Sequence, residues 1–288
     1  MPVVVVTDSS ARLPADLVAR WGIRVVPLHI LLDGQDLRDG VDEVPADLYQ
    51  RAGVTTAGAG PAELAAAYRT ALGDSGGDGV LAVHLSAALS STLGSAEHAA
   101  GGFPGLVSVV DSRSAGMGTG FVALAAAHVA RDGADLAAVT AAANAAVDRV
   151  HAFLVVRRLE NLRHSGRITA AASWLGTALA IKPLLRIEDG RLVAAQRVRT
   201  TSKAVAAMIE QVIEVVGEGR AALAVQHVDD LAGAQDVAAT LAGALPGCGP
   251  AMVTDLGPVL GVHLGTGAVG VVVFLDPGAG LSGPRNGR

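Results

Sequence analysis

Three short runs hold most of the hydroxyl and carboxylate groups that could act together: Thr7-Asp8-Ser9-Ser10, Ser86 through Ser90-Ser91-Thr92, and Asp111-Ser112. Each follows an apolar, strand-like segment, and in open parallel sheets ligands gather outside the carboxyl ends of strands. Their hydroxyls, with the free N–H groups of a following helix, suit an anion or carboxylate. The same residues serve equally well as helix N-caps, and both readings stand. A nucleophilic arrangement is the rival chemistry: Ser90 activated by His263, with Asp8 or Asp111 as the orienting acid. Two glycine patterns fail on context. Gly265-Thr266-Gly267-Ala268-Val269-Gly270 matches a dinucleotide fingerprint, but a strand rather than a helix follows it, and only 18 residues remain after Gly270. Gly73-Asp74-Ser75-Gly76-Gly77 joins a helix to a strand, the reverse of a nucleophile elbow. There is no P-loop sequence, and no two histidines share a helix face at metal-ligand spacing.

The elements that must position these groups come from a chain of 288 residues, about two domains' worth. Hydrophobic residues make up 51% and aromatics 3%, so the core is built from Ala, Val and Leu. A net charge of −5 argues against a protein held to nucleic acid by phosphate contacts. The single cysteine, Cys248, excludes an internal disulfide and fits a reducing, cytoplasmic setting. No apolar run reaches the roughly 18 residues that cross a bilayer, and the N-terminus lacks the pattern of a secretory signal.

Strands and helices alternate through the first half. All-apolar Val3–Val6 reads as a strand buried on both faces. Pro14–Trp21 reads as a helix and Ile23–Leu32 as one strand ending at Asp33-Gly34. Pro61–Leu72 reads as a helix with Leu64, Ala67, Tyr68 and Leu72 on its apolar stripe. Val80–Leu85 and Leu106–Val110 are strands, and Met117–Ala130 and Leu136–Val150 are Ala-rich helices. In the second half, Ala152–Val156 is a strand and Leu159–His164 a short helix, followed by a helix over 170–180. Lys182–Glu188 and Leu192–Val198 flank Asp189-Gly190, a two-residue hairpin signal. Helix Ser202–Val216, strand Ala221–Gln226, helix Asp230–Ala244 and strand Val269–Leu275 complete the chain. The expectation is an α/β domain with a mostly parallel sheet over 1–155, an α+β domain over 156–276, and a flexible tail over 277–288.

Charge is uneven. Residues 157–203 hold ten Lys/Arg against three acids, a local +7, which leaves −12 for the rest. A solvated basic face and a docking or phosphate-facing surface both account for it.

Six segments, in order from Val3 to Leu275, resemble the DegV family, whose members include the fatty-acid-binding subunits of bacterial fatty acid kinase. Thr7-Asp8-Ser9-Ser10 with Leu13-Pro14 resembles the family's D-S-x-x-x-L-P start. Thr56 stands at the threonine of T-S-Q-P-S-P, although Ala57-Gly58-Ala59-Gly60-Pro61 follows it here. Ser86-Ala87-Ala88-Leu89-Ser90-Ser91-Thr92 is similar to S-S-x-L-S-G-T, with Ser91 in place of glycine. Asp111–Gly118 resembles a shortened D-S-x-x-x-S-x-G-x-G. Leu162–Ile168 resembles L-x-x-G-G-R-I, with Lys182-Pro183 as its K-P. His263–Gly270 resembles H-T-G-P-G-A-L-G.

The resemblance implies a two-domain fold with a long-chain fatty acid enclosed between the domains. It implies a carboxylate held by Thr56, Ser90 and His263, with Ser9, Ser86, Ser91, Thr92, Ser112 and Gly265 at the rim. It further implies a carrier that is not an enzyme by itself and needs no cofactor of its own. The carrier presents the carboxylate to a partner kinase that brings ATP and Mg²⁺ for acyl-phosphate formation, a step in phospholipid metabolism. Arg167, Arg199 and Lys203, in the basic segment, are the docking candidates. A buried carboxylate needs several donors, and a sixteen-carbon tail gains roughly 11 kcal/mol at about 0.8 kcal/mol per methylene. The alternatives are the Ser90/His263 hydrolase and a lipid or small-molecule sensor without a kinase partner.

Overall fold

The computed structural model describes residues 2–168 and 182–275, so the helix expected over 170–180 and the tail over 277–288 lie outside the described residues. The chain forms two compact units: Met1–Asp148 with Gly257–Val262, and Arg149–Leu256 with the residues from His263 onward.

In the first unit the order is β1 (Val4–Asp8), α1 (Ala15–Trp21), β2 (Arg24–Val26), β3 (His29–Leu32), β4 (Gln35–Arg38), β5 (Thr55–Ala57) and α2 (Pro61–Ser75). Then come β6 (Val80–His84), α3 (Thr92–Ala100), β7 (Val107–Asp111), α4 (Met117–Arg131) and α5 (Leu136–Val147). The strands β2-β1-β6-β7 form a parallel sheet, in which β1 and β6 are central. Helices pack on β1 and β6, and Val5, Val6, Leu81, Ala82 and Val83 are all buried, which is why 4–6 and 80–83 are apolar, the polar Thr7-Asp8 and His84 coming only at the strands' carboxyl ends. α4 is buried along most of its length. A Cβ at Gly120 would stand 2.8 Å from the Ala11 carbonyl oxygen, so the helix's small residues let it close on the segment after β1.

The segment expected to be one strand over Ile23–Leu32 is two, broken at Pro27-Leu28. β2 stays in the parallel sheet, and β3 joins a separate antiparallel sheet, β4-β3-β5. Asp33 and Gly34, with φ of 52° and 78°, make the β3–β4 turn.

The second unit holds β8 (Val150–Val155), α6 (Glu160–His164), β9 (Lys182–Glu188), β10 (Arg191–Val198), α7 (Thr201–Val216) and β11 (Ala221–His227). It continues with α8 (Leu231–Ala244), β12 (Met252–Asp255) and β13 (Val269–Leu275). Between β12 and β13 lies α9 (Gly257–Leu264), of which 257–262 belong to the first unit. The sheet order is β10-β9-β8-β13-β11-β12, antiparallel except for the β11–β12 pair. α7 and α8 bury Ala204, Met208, Val212, Val237 and Leu241 against Leu223, Val225, Val271 and Val273. The β9–β10 hairpin turns at Asp189 and Gly190, with φ of 47° and 75°. The division between the units falls ahead of β8 rather than at 155, because β8 pairs with β9 and β13.

Candidate functional site

At the carboxyl ends of β1, β6 and β7 the hydroxyl runs divide into groups committed to packing and groups left at a surface. Asp8 is fully buried. Its Oδ2 accepts from Leu85 N (3.1 Å) and lies 2.9 Å from His84 Nδ1, while its Oδ1 accepts from Ser10 N (3.1 Å) and Ser10 Oγ (2.5 Å). His84 Nε2 in turn meets the Tyr68 hydroxyl at 3.2 Å. Burial, then the nearby Asp8 charge, pushes the Tyr68 phenol well above its ordinary range. Asp8 is thus committed to His84, Leu85 and Ser10 within the first unit. Asp111 accepts from Arg113 N (2.8 Å) in its own loop and from Ala87 N (3.4 Å) in the loop after β6.

Ser9 is likewise withdrawn into structure. It donates to Asp39 Oδ2 at 2.7 Å and accepts from Leu28 N at 3.0 Å. Ser112 is buried and shares a 2.8 Å hydrogen bond with Thr119 Oγ1. Ser86 is buried and shapes a turn, accepting from Ala88 N (3.2 Å) at its side chain and from Ser90 N (3.1 Å) at its carbonyl.

That turn delivers Ser90, half-buried, to the start of α3. Its Oγ accepts from Thr92 N at 3.2 Å and shares a 2.9 Å hydrogen bond with Thr92 Oγ1. Ser91 is exposed and Thr92 fully buried. Thr56 is half-buried on β5, opposite Ile30 of β3. Two residues on, Gly58 presses against α3, where a Cβ would stand 2.5 Å from Thr92 Oγ1. The first unit therefore joins the Thr56 strand to the Ser90–Thr92 turn through a contact only glycine allows.

His263 sits in the last turn of α9, half-buried. Burial, then the Arg167 charge, lowers its pKa from 6.5 to about 4, so the ring is neutral at physiological pH. A neutral imidazole has one N–H to donate and one lone pair. Arg167, expected on a docking face, is half-buried, donates to the Ser165 carbonyl and lies within electrostatic reach of His263. Arg199 and Lys203 are exposed. Beyond α9, Gly265 and Gly267 have φ of 77° and 76°, and the loop feeds directly into β13. A Cβ at Gly267 would collide with the Arg157 guanidinium, which is paired with Asp230 at 3.4 Å. The glycines there serve a tight turn, not a pyrophosphate.

The sequence reading missed the Asp8–His84–Tyr68 chain and the neighbourhood of Arg167. The one sequence signal was a lone histidine, His84, closing an apolar run; its pairing with Asp8 comes from the register of β1 and β6. Among the described residues, no group of three or more His, Cys, Asp or Glu could hold a metal ion, and no helix is long and apolar enough to cross a membrane.

With this geometry in place, the comparisons with known proteins are consistent with one another. The DegV profile, described as "Uncharacterised protein, DegV family", matches residues 2–276. A DegV domain-containing protein of Mycobacterium tuberculosis is 62% identical over 97% of this chain and 99% of its own length. A second, from Streptomyces coelicolor, is 39% identical over 94% and 98%. Among solved structures, a fatty-acid-binding DegV family protein from Thermus thermophilus has a TM-score of 0.86 at 35% identity, covering 96% of this chain and all of that one. DegV of Bacillus subtilis, described as a fatty-acid-binding protein, has a TM-score of 0.86 at 27% identity, covering 96% of this chain and all of its own. The chain belongs to the DegV family.

Proposed function

We propose that this protein binds a long-chain fatty acid through Thr56, Ser90 and His263 and presents its carboxylate to a separate kinase. The observation that carries the binding reading is the similarity along 96% of the chain, at 35% identity, to a fatty-acid-binding DegV family protein of Thermus thermophilus. The chemistry of the residues supports it. Thr56 and Ser90 offer hydroxyls on elements joined through Gly58 and Thr92. His263, kept neutral, offers an N–H without the cost of burying a second ion beside the carboxylate. Exposed Ser91 and the Gly265 turn remain candidates for the rim, whereas Ser9, Ser86, Thr92 and Ser112 act from beneath it.

The carrier role rests on the family resemblance, and the sequence and its charge are compatible with it. The chain has no P-loop, so ATP and Mg²⁺ come from the partner. In-line attack of the carboxylate oxygen on the γ-phosphorus forms the acyl phosphate and expels ADP, a reaction governed by positioning and charge neutralisation. Exposed Arg199 and Lys203 are suited to docking an acidic surface of that kinase. The single thiol fits a cytoplasmic site of action. The test is organic extraction of the purified protein with mass spectrometry of the extract. About one fatty acid per chain is expected; an extract empty of lipid, with no uptake of added palmitate or oleate, refutes the reading.

A further inference from the structure

His29 lies on β3, 8% exposed, between two carboxylates from different elements. Its Nδ1 is 2.7 Å from Asp36 Oδ1 on β4, and its Nε2 is 3.2 Å from Glu63 in the first turn of α2. Neutral imidazole carries one N–H and one lone pair, so it would turn that lone pair toward a carboxylate. Only the imidazolium donates to both acids. Glu63 Oε2 also accepts from Gly60 N at 2.7 Å. The chain from β5 to α2, Ala57-Gly58-Ala59-Gly60, thus has one end in the β3 pairing His29↔Ala57 and the other tied to the His29 ring through Glu63. Two of its four residues are glycines, which lose the most conformational freedom on ordering. The same segment places Gly58 on Thr92, and it begins one residue beyond Thr56.

We propose that His29 is a positioning residue: as an imidazolium bridging Asp36 and Glu63, it fixes the 57–60 segment and thereby the setting of Thr56 against Ser90 and Thr92, making carboxylate binding pH-dependent. This deepens the fatty-acid-binding reading and rests on it. The charged groups around the ring come from three places: Asp36 and Arg38 on β4, Glu63 on α2, and Asp42 after β4, itself paired with Arg38. β5 contributes Thr55, Thr56 and Ala57, none of which titrates near neutrality. Burial alone lowers the proton affinity of His29; the Asp36 hydrogen bond and the Glu63 charge outweigh it, and the net shift is upward. A raised value means that the latch is fully formed below the ordinary histidine range of about 6.5 and is lost as pH rises through the folded-state value.

The experiment is oleate binding by equilibrium dialysis from pH 6 to 9, for wild type, His29→Gln and Glu63→Gln. Amide hydrogen exchange of residues 57–60, corrected for intrinsic rate, is followed in parallel. Wild-type affinity should fall by roughly tenfold across the range, the loss of about one hydrogen bond's worth of positioning, with loop protection falling alongside. His29→Gln should show a flat profile in both measurements. Glu63→Gln, which keeps the histidine but removes one charge, should move the transition to lower pH. A wild-type profile that persists unchanged in His29→Gln overturns the proposal, as does a loop whose protection ignores pH. Failure of wild type to bind oleate at any pH is a different result, removing the fatty-acid reading itself.

Discussion

Gly58→Ala is a sharp probe of how Thr56 and Ser90 are held together. The new methyl would lie 2.5 Å from Thr92 Oγ1, 3.3 Å from Thr92 N and 3.4 Å from Thr92 Cα. Thr92 is fully buried and its Oγ1 shares the Ser90 hydrogen bond, so it cannot turn aside without losing that bond. Overpacking of this kind costs about 1–3 kcal/mol, offset by about 0.4–1 kcal/mol from the less flexible unfolded chain. A net loss of about 1–2 kcal/mol is expected in urea unfolding. Thr92→Ala alone removes a buried hydrogen bond and a methyl, together about 1.5–2.5 kcal/mol. Because it also clears the space the alanine needs, the double variant should be no less stable than Thr92→Ala by more than a few tenths of a kcal/mol. The coupling of about 1–2 kcal/mol is the quantity of interest. Oleate affinity should fall in both single variants. Additive destabilisation, within about 0.5 kcal/mol, refutes the contact between the two segments.

Asp8→Ala should destabilise the first unit by about 3–5 kcal/mol in chemical denaturation, since it leaves His84 and Leu85 N without their buried acceptor; Tyr68→Phe, which removes one end of the chain, should cost about 1–3 kcal/mol. His263 resists protonation down to about pH 4 in the folded protein while the unfolded chain protonates near 6.5. Stability should therefore decline as pH falls from 6.5 to 4, by up to about 3 kcal/mol at about 1.4 kcal/mol per unit, and His263→Gln should lack that decline in a pH series of unfolding curves. Arg199→Glu should leave oleate binding near wild type and weaken acyl-phosphate formation with the kinase, read by coupled ATP turnover.

What could be read from the sequence is what each segment specifies alone. β1, β6 and β13 are legible because a strand covered on both faces reads as a continuous apolar run, as in 4–6, 80–83 and 271–275, and Asp189-Gly190 announces its hairpin because the turn needs left-handed backbone. β4 is not legible: Gln35–Arg38 has no apolar face, and its backbone pairing with β3 makes it a strand. α9 is hidden for a different reason. Gly257 and Gly261 argue against a helix by propensity, yet the Arg12 guanidinium and the Tyr49 ring fill the positions where their Cβ atoms would be. The same division holds at the candidate site. The Ser90–Thr92 turn is visible as a hydroxyl run before a helix, since a serine accepting from the N–H two residues on is a local device. The Asp8–His84 pair is not, because it depends on the parallel register that sets Thr7 opposite Val83. Arg167 lies in a basic segment and so reads as one more surface charge; the fold instead half-buries it within electrostatic reach of His263. Burial first, and the Arg167 charge second, thus hold the His263 ring neutral, so that in the proposed site it would meet a carboxylate as an N–H donor rather than as a second ion.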